Sequence, residues 1–332
     1  MKTIKTSSGK IFEQIDGESI LDCAEKAGIK FQYSCRTGRC STCKCKVISG
    51  KTSTYNDELG LTELEKMEGY ILSCVRYAEE NTEIEVDDLG DIKIPKPQTV
   101  PCKISKLEML AEDVIQIILR MPPSTSFNFI PGQYIDLIGP KGIKRSYSIA
   151  NNISNNSIEL HIKKVINGSL SKYWFDDAKL DDLLRLHGPL GTFFLRDGIK
   201  KDIIFLATGT GAAPVKAILE SIEILSNSDP RSITVIWGGR KKDDLYIDYF
   251  HKNLNIDFIP VLSRPSSDWK GEVGYVQNIV LDKKYDLSNS VVYACGLDSM
   301  IKSAKKILVD NGLDKSDFYS DAFVDSSDIM HD

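Results

Sequence analysis

No apolar run in this 332-residue chain approaches the roughly 18 to 20 residues needed to cross a bilayer. The first ten residues, MKTIKTSSGK, hold no apolar signal core, so the expected address is the cytoplasm. A basic surplus is missing as well. The chain has 42 Lys and Arg against 47 Asp and Glu, a net charge of -5, which sets nucleic acid aside because phosphate neutralisation needs a basic surface. Internal repeats and low-complexity tracts are absent, and a composition 42% hydrophobic and 27% charged is that of a folded protein with chain enough for two or three cores. Cysteine is scarce beyond the head of the chain, where only Cys102 and Cys295 follow Cys74.

What is present is unevenly placed. Residues 1–92 carry 12 Lys and Arg against 17 Asp and Glu, whereas the remainder is balanced at 30 and 30. An acidic module on a neutral body reads either as a docking surface for a partner with a basic patch or as a merely solvated face. Six of the eight cysteines, Cys23, Cys35, Cys40, Cys43, Cys45 and Cys74, fall in the same module. In a cytosolic chain such crowding reads as metal ligation rather than disulfides. Cys35, Cys40 and Cys43 follow C-x4-C-x2-C, with Cys74 thirty residues on. That is the plant-type spacing for a [2Fe-2S] cluster, distinct from the paired C-x2-C knuckles of structural zinc, which remains the alternative. Gly38 and the small hydroxyl residues of the loop let backbone N–H groups face inorganic sulfide, and Arg36 and Arg39 add positive charge. Cys23, in an amphipathic helical pattern, and Cys45, opening a strand, read as packing residues.

Punctuation divides the rest. Pro95, Pro97 and Pro101 fall within eight residues, so residues 93–101 read as an extended linker after a first domain of residues 1–92. From 102 to 196, short alternating strands such as Val114–Leu119, Tyr134–Ile138 and Ile158–Val165 suggest an antiparallel barrel, interrupted by a helical insert over Leu170–Leu186. From 197 to 328, strands alternate with helices at Pro214–Leu225 and Ser299–Asn311, the grammar of a parallel sheet covered on both faces. Residues Ile329–Asp332 are expected to fray.

In the barrel segment, Arg145-Ser146-Tyr147-Ser148 joins a guanidinium, a ring and hydroxyls. Asn167-Gly168-Ser169-Leu170-Ser171 precedes the helical insert, where N–H groups and dipole receive phosphate. The glycines of GPLGTF, Gly188–Phe193, permit a tight bend beside a flat cofactor. In the last segment, Gly209-Thr210-Gly211 turns from a strand into a helix. Gly239-Arg240, Ser263-Arg264 and Cys295-Gly296 end the following strands, where open α/β sheets bind ligands. A lone Cys ending a strand is as a rule packing; beside Gly296 and a helix start, Cys295 reads as functional. No acidic residue announces NADH, and Ser263-Arg264 with Tyr275 and Gln277 suits a 2'-phosphate, so NADH and NADPH both stay open.

The head resembles plant-type ferredoxins of the β-grasp fold, and the remainder resembles the flavin and nicotinamide domains of the ferredoxin-NADP reductase superfamily. The resemblance implies a β-grasp α+β ferredoxin, an antiparallel β-barrel FAD domain and an α/β parallel-sheet nicotinamide-binding domain. It implies that Arg145 holds the FAD diphosphate with Ser146 beside it, and that Tyr147 lies against the flavin with Ser148 near N5. Gly168, Ser169, Leu170 and Ser171 would cap the phosphates, and Lys163 would lie beside the cofactor. FAD is expected over FMN because the phosphate motif suits a diphosphate. Thr210 and Cys295 would flank the nicotinamide C4 between Gly209, Gly211 and Gly296. Gly239, Arg240, Ser263 and Arg264 would take the rest of the dinucleotide. Phe323 would cover a flavin face, unless it is an ordinary apolar anchor. No side chain need act as nucleophile; Ser148, Thr210 and Cys295 would orient and polarise.

Ferredoxin first, flavin second and nicotinamide last is the order of bacterial oxygenase reductases and of the reductases that serve CDP-4-keto-6-deoxyhexose dehydration in 3,6-dideoxysugar biosynthesis. PGQYIDLI, RSYSIAN, GPLGTFF, APVK, VYACG and FYSDAFV make the chain resemble the second group most. The implied activity splits a two-electron hydride into single electrons for a protein acceptor docked on the acidic ferredoxin face. The rival readings are a reductase for a Rieske or di-iron oxygenase and a non-catalytic redox sensor or carrier.

Overall fold

The computed structural model describes residues 2–152, 156–166, 168–196, 199–224, 231–247 and 255–323. It divides into two compact units, Met1–Lys93 and Ile94–Asp332. In the first, β1 (Thr3–Thr6), β2 (Ile11–Glu13), α1 (Ile20–Lys26), β3 (Lys44–Ser49), β4 (Thr52–Thr54), α2 (Glu63–Met67), β5 (Tyr70–Leu72), β6 (Arg76–Ala78) and β7 (Thr82–Glu85) follow in order. Five strands form a sheet ordered β2-β1-β7-β3-β5, in which β1 and β7 are parallel; β4 and β6 form a separate ribbon. Ser19 and Asp22 close a reciprocal capping box at the start of α1, which turns Ile20, Leu21, Cys23 and Ala24 into the core. Cys23 and Cys45 pack in this core with Ile4, Phe31, Leu72 and Ile84.

The second unit opens with a barrel. Its strands β8 (Gln98–Ala111), β9 (Val114–Arg120), β10 (Tyr134–Ile138), β11 (Lys144–Ser148), β12 (Ser157–Lys163) and β13 (Leu183–Leu190) form an antiparallel sheet ordered β11-β10-β13-β8-β9-β12. A bridge between Ile149 and Leu160 draws its two ends together. Helix α3 (Ser169–Lys172) precedes β13. Two local readings need correction here. The segment read as linker already pairs from Gln98, because Gln98–Pro101 lies against β13 alone while the β9 ladder begins at Lys103. With no second neighbour, Pro101 costs no ladder bond. The insert over Leu170–Leu186 is not one helix either. After α3 it continues as a π turn over Tyr173–Asp177 and then as β13. Leu183 is 82% exposed, whereas Leu184 is 7% and Leu186 0% exposed, the two-residue period of a strand hidden among leucines spaced for a helix.

The parallel sheet that follows is built from β14 (Asp202–Thr208), β15 (Ser232–Gly239), β16 (Ile256–Leu262), β17 (Glu272–Val273), β18 (Ser290–Leu297) and β19 (Phe318–Phe323), ordered β17-β16-β15-β14-β18-β19. Helices α4 (Ala212–Ile224), α5 (Val276–Asp282) and α6 (Asp298–Asp310) connect the strands. Near-continuous burial along β14 and β18 matches a sheet covered on both faces. Asn167, Leu225 and residues 324–332 lie outside the described residues.

Candidate functional site

Cys35, Cys40 and Cys43 stand on the loop before β3, and Cys74 in the turn between β5 and β6. The thiols meet two and two, Cys35 with Cys40 and Cys43 with Cys74, each pair in side-chain hydrogen-bond contact. A two-iron cluster held by four thiolates takes them in this arrangement. The N–H groups of Thr37 and Cys40 both point at Cys35 Sγ from 3.4 Å. The Cys40 thiol beside it draws Cys35 down to about 5 against the effect of burial, toward the thiolate form that ligates metal. Cys40 and Cys43 are pushed up by their pair partners and by burial.

The loop is held from behind. Gly38 has φ +75°, and a Cβ there would lie 2.5 Å from the Asp57 carbonyl oxygen, so only glycine lets the loop pass. Ser73 donates through both its N–H and its hydroxyl to the Cys43 carbonyl, tying the two halves of the ligand set together. The buried Glu58 accepts from Leu72 N at 2.6 Å and from Arg76 at 2.7 Å, residues two before and two after Cys74. A single Glu in the stretch NDELGL carries no signal of this role, so sequence reasoning missed it. Arg36 does not supply the free charge expected of it, because it pairs with Asp22 at 2.9 Å and with Glu25, and stacks on Tyr33. Burial raises Cys23 and pushes Cys45 up to about 12.

In the barrel, β11 carries the four flavin candidates. Among the described residues Arg145 makes no ion pair, and its guanidinium rests on the Lys144 carbonyl at 2.8 Å, which leaves it able to take an anion. Ser146 instead donates to the buried Asp136 at 2.6 Å, with Lys144 on the same carboxylate. Tyr147 accepts from the Trp174 indole N–H at 3.1 Å, which fixes its ring edge-to-face against a fully buried tryptophan. Lys163 faces Asp113 at 3.0 Å and Asp244 at 3.9 Å. Gly168 is half-buried before α3, Ser169 begins that helix, and Leu170 is in the barrel core. The Ser171 hydroxyl accepts from the Val165 N–H at 2.9 Å, and the Gly168 N–H donates to the Val165 carbonyl at 3.1 Å.

Ser148, at the end of β11, donates to Asp321 of β19 at 3.2 Å, and the Cys295 thiol faces the same carboxylate oxygen at 3.9 Å. Asp321 is 4% exposed and was missed, although it lies two residues before Phe323 in a stretch already singled out. Burial and Asp321 both raise the Cys295 thiol, which stays protonated. The half-buried Thr210 sits in the turn that carries β14 into α4. That turn meets the end of β18 closely. A Cβ on Gly211 would lie 2.3 Å from the Cys295 carbonyl oxygen, and one on Gly296, at φ +133°, would lie 2.2 Å from the Thr208 hydroxyl. Phe323 is in register with Leu297, one pair beyond Gly296 and Ala322. Gly239 accepts from Ser263 N, and Arg240 accepts from Arg264 N, both at 3.0 Å, so two exposed arginines stand together at the strand ends. Gln277 is buried against Ser303, whereas Tyr275 is exposed.

A buried polar seam joins barrel and sheet. Lys216 of α4 bonds to the Ala150 carbonyl at 3.0 Å and to Glu159 at 3.4 Å, which gives the APVK stretch a structural reason. Burial works against the Glu159 carboxylate, but His161, the Lys216 charge and Gln116 outweigh it and hold the group at about 2. Burial lowers His161.

Three family models match the chain: a 2Fe-2S iron-sulfur cluster binding domain over residues 4–79, an oxidoreductase FAD-binding domain over 101–195 and an oxidoreductase NAD-binding domain over 205–306. The chain is 40% identical over 324 residues to a CDP-6-deoxy-L-threo-D-glycero-4-hexulose-3-dehydrase reductase of Yersinia pestis, covering 96% of this chain and 97% of the relative. It is 30% identical to a toluate 1,2-dioxygenase electron transfer component of Pseudomonas putida, covering 94% of each. Among solved structures, an Amycolatopsis cytochrome P450 reductase superposes with TM-score 0.75 at 23% identity, over 97% of this chain and 99% of that one, a likeness of fold.

Cys74→Ala is expected to abolish the visible absorption of an iron-sulfur cluster while leaving reduction of a bound flavin by nicotinamide intact; an unaltered cluster spectrum contradicts the pairing. Glu159 has an ordinary value of 4.5 and a folded value of about 2, so its ionised form stabilises the fold above about pH 4.5, and that contribution fades as pH falls toward 2. Denaturant titrations across this range should show a shallower acid loss in Glu159→Gln than in the parent.

Proposed function

The chain belongs to the iron-sulfur flavoprotein reductases that join a 2Fe-2S, an FAD-binding and an NAD-binding domain, and on that premise we propose that it delivers single electrons to a pyridoxamine-phosphate-dependent CDP-deoxysugar 3-dehydrase. It is an NAD(P)H-dependent oxidoreductase whose redox groups are a [2Fe-2S] cluster, FAD and the nicotinamide itself. The observation that carries the choice of acceptor is full-length likeness, at 40% identity, to a reductase named for a CDP-6-deoxy-hexulose 3-dehydrase, against 30% for the dioxygenase component. When bound, these groups supply hydride donation, hydride acceptance with release of electrons one at a time, and one-electron carriage.

The residues do the holding. Arg145 takes the FAD diphosphate, and the backbone from Gly168 to Ser171 receives its phosphates. Tyr147, locked by Trp174, presents its ring to the flavin. Ser148 and Cys295 share Asp321, so hydroxyl, thiol and carboxylate together set the floor where donor and acceptor meet. Cys35, Cys40, Cys43 and Cys74 ligate the irons. Arg240 and Arg264 hold the far end of the dinucleotide. For the partner, the supporting surface is α2 and the stretch before it, where Leu59, Leu64 and Met67 are 61%, 64% and 84% exposed among Asp57, Glu63 and Glu68. An apolar ridge with an acidic rim suits a partner with a basic rim.

The acceptor is tested by supplying the purified holoprotein with NADH and either the dehydrase and its CDP-4-keto-6-deoxyhexose substrate or an oxygenase. Nicotinamide oxidation should be fast with the dehydrase and fall as salt is raised, while ferricyanide reduction stays level. Faster turnover with the oxygenase overturns the assignment, and no steady turnover with any acceptor overturns catalysis itself. Arg264→Ala should raise the NADH to NADPH rate ratio if Arg264 meets a 2'-phosphate; an unchanged ratio removes it from coenzyme choice.

A further inference from the structure

A tyrosine hydroxyl inside a protein needs a partner, because an unpaired one costs free energy that a phenylalanine would not. Tyr246 follows the short turn Lys242–Asp244 of the nicotinamide domain, and its partner comes from the barrel: His161 Nδ1 of β12, 3.3 Å away. On the other side of the ring, His161 Nε2 meets Glu159 Oε1 at 2.7 Å, and Glu159 also accepts from Gln116 at 2.8 Å. With the proton on Nε2, Tyr246 donates to His161 and His161 donates to Glu159. Desolvation keeps the Tyr246 phenol well above its ordinary value, so it remains a donor.

The seam continues into the nicotinamide site. The Tyr246 ring stands edge-on to Trp237 at 5.3 Å and 85°, and the Trp237 indole N–H donates to the Gly209 carbonyl at 3.1 Å. Asp244, two residues before Tyr246, accepts from the N–H groups of Arg240 and Lys241 at 2.7 and 3.0 Å. Lys163, two residues along β12 from His161 and so on the same face, reaches Asp244. One barrel strand therefore grips the segment that supports both the Gly209–Gly211 turn and Arg240.

We propose that the Tyr246–His161 hydrogen bond is an interdomain latch, and that Tyr246 and His161 are positioning residues that hold the nicotinamide-receiving turn in register with the flavin barrel. The proposal rests on the reading of these domains as hydride donor and acceptor sites. Tyr246 touches neither reacting atom; it acts through Trp237 and Gly209. Displacement of about 1 Å in such a system costs on the order of a hundredfold in rate.

The test compares the parent holoprotein with Tyr246→Phe, His161→Leu and His161→Gln, the last able to donate to Glu159 and accept from Tyr246. Anaerobic stopped-flow records flavin bleaching against NADH and 4-deuterated NADH, and amide hydrogen exchange is followed at residues 205–211 and 236–247 without nicotinamide. Tyr246→Phe and His161→Leu should lower the limiting rate about tenfold or more with an unchanged dissociation constant and a larger isotope effect. Exchange at both segments should quicken, and His161→Gln should recover most of the rate. An unchanged limiting rate and exchange pattern in Tyr246→Phe overturns the latch. Equal loss of flavin content and melting temperature in all three variants, with no rescue by Gln, also overturns it in favour of bulk packing. If the parent itself fails to bleach with NADH, it is the underlying functional reading that has failed, and the exchange data still judge the latch.

Discussion

Hydride transfer tolerates no gap, since donor and acceptor atoms must come within about 3 to 3.5 Å, and this constraint governs the larger unit. Three strand ends have to converge for it: β11 of the barrel with β14 and β18 of the parallel sheet. Bulk at the junction is removed where backbones would collide, at Gly211 against the Cys295 carbonyl and at Gly296 against Thr208. Beside this junction three polar groups from β11, β18 and β19 meet, the half-buried Ser148 hydroxyl and the buried Cys295 thiol both on the Asp321 carboxylate. Under the proposed function, the protonated thiol and the hydroxyl orient flat rings rather than attack.

The iron-sulfur unit answers a different demand. A one-electron carrier needs little rearrangement, and its loop is closely tied down: Gly38 threaded past Asp57, Ser73 bonded to the Cys43 carbonyl, and Glu58 joining Leu72 to Arg76 on either side of Cys74. The four thiols meet two and two, as the ligands of a two-iron cluster must. Cys45 and Cys23, equally cysteine in the sequence, belong to neither thiol pair and pack in the apolar core.

Much of this was legible in the residues. The C-x4-C-x2-C spacing with Cys74 beyond it is chemically specific, so a 2Fe-2S domain was readable, as were the strand-then-turn signatures at RSYS, GTG and CG. What escaped depends on pairing between distant segments. Pro101 reads as linker until β8 is seen to have one neighbour there, and the leucines of residues 183–186 read as helix until the barrel selects their two-residue period. Asp321, Glu58 and the Tyr246–His161 contact are single polar residues whose meaning lies wholly in what tertiary structure brings to them. Arg36 shows the converse, a charge that points to an anion in sequence and is neutralised by Asp22 and Glu25 in the fold.

The central claim is that one polypeptide converts a hydride into single electrons. An anaerobic titration of the intact holoprotein with NADH, with iron, sulfide and flavin assayed on the same sample, tests it most directly. One FAD and one two-iron cluster per chain are expected, with flavin and cluster bands both bleached by about three electrons per chain in all. A colourless protein, or a flavin that bleaches while a chemically present cluster stays oxidised, contradicts it.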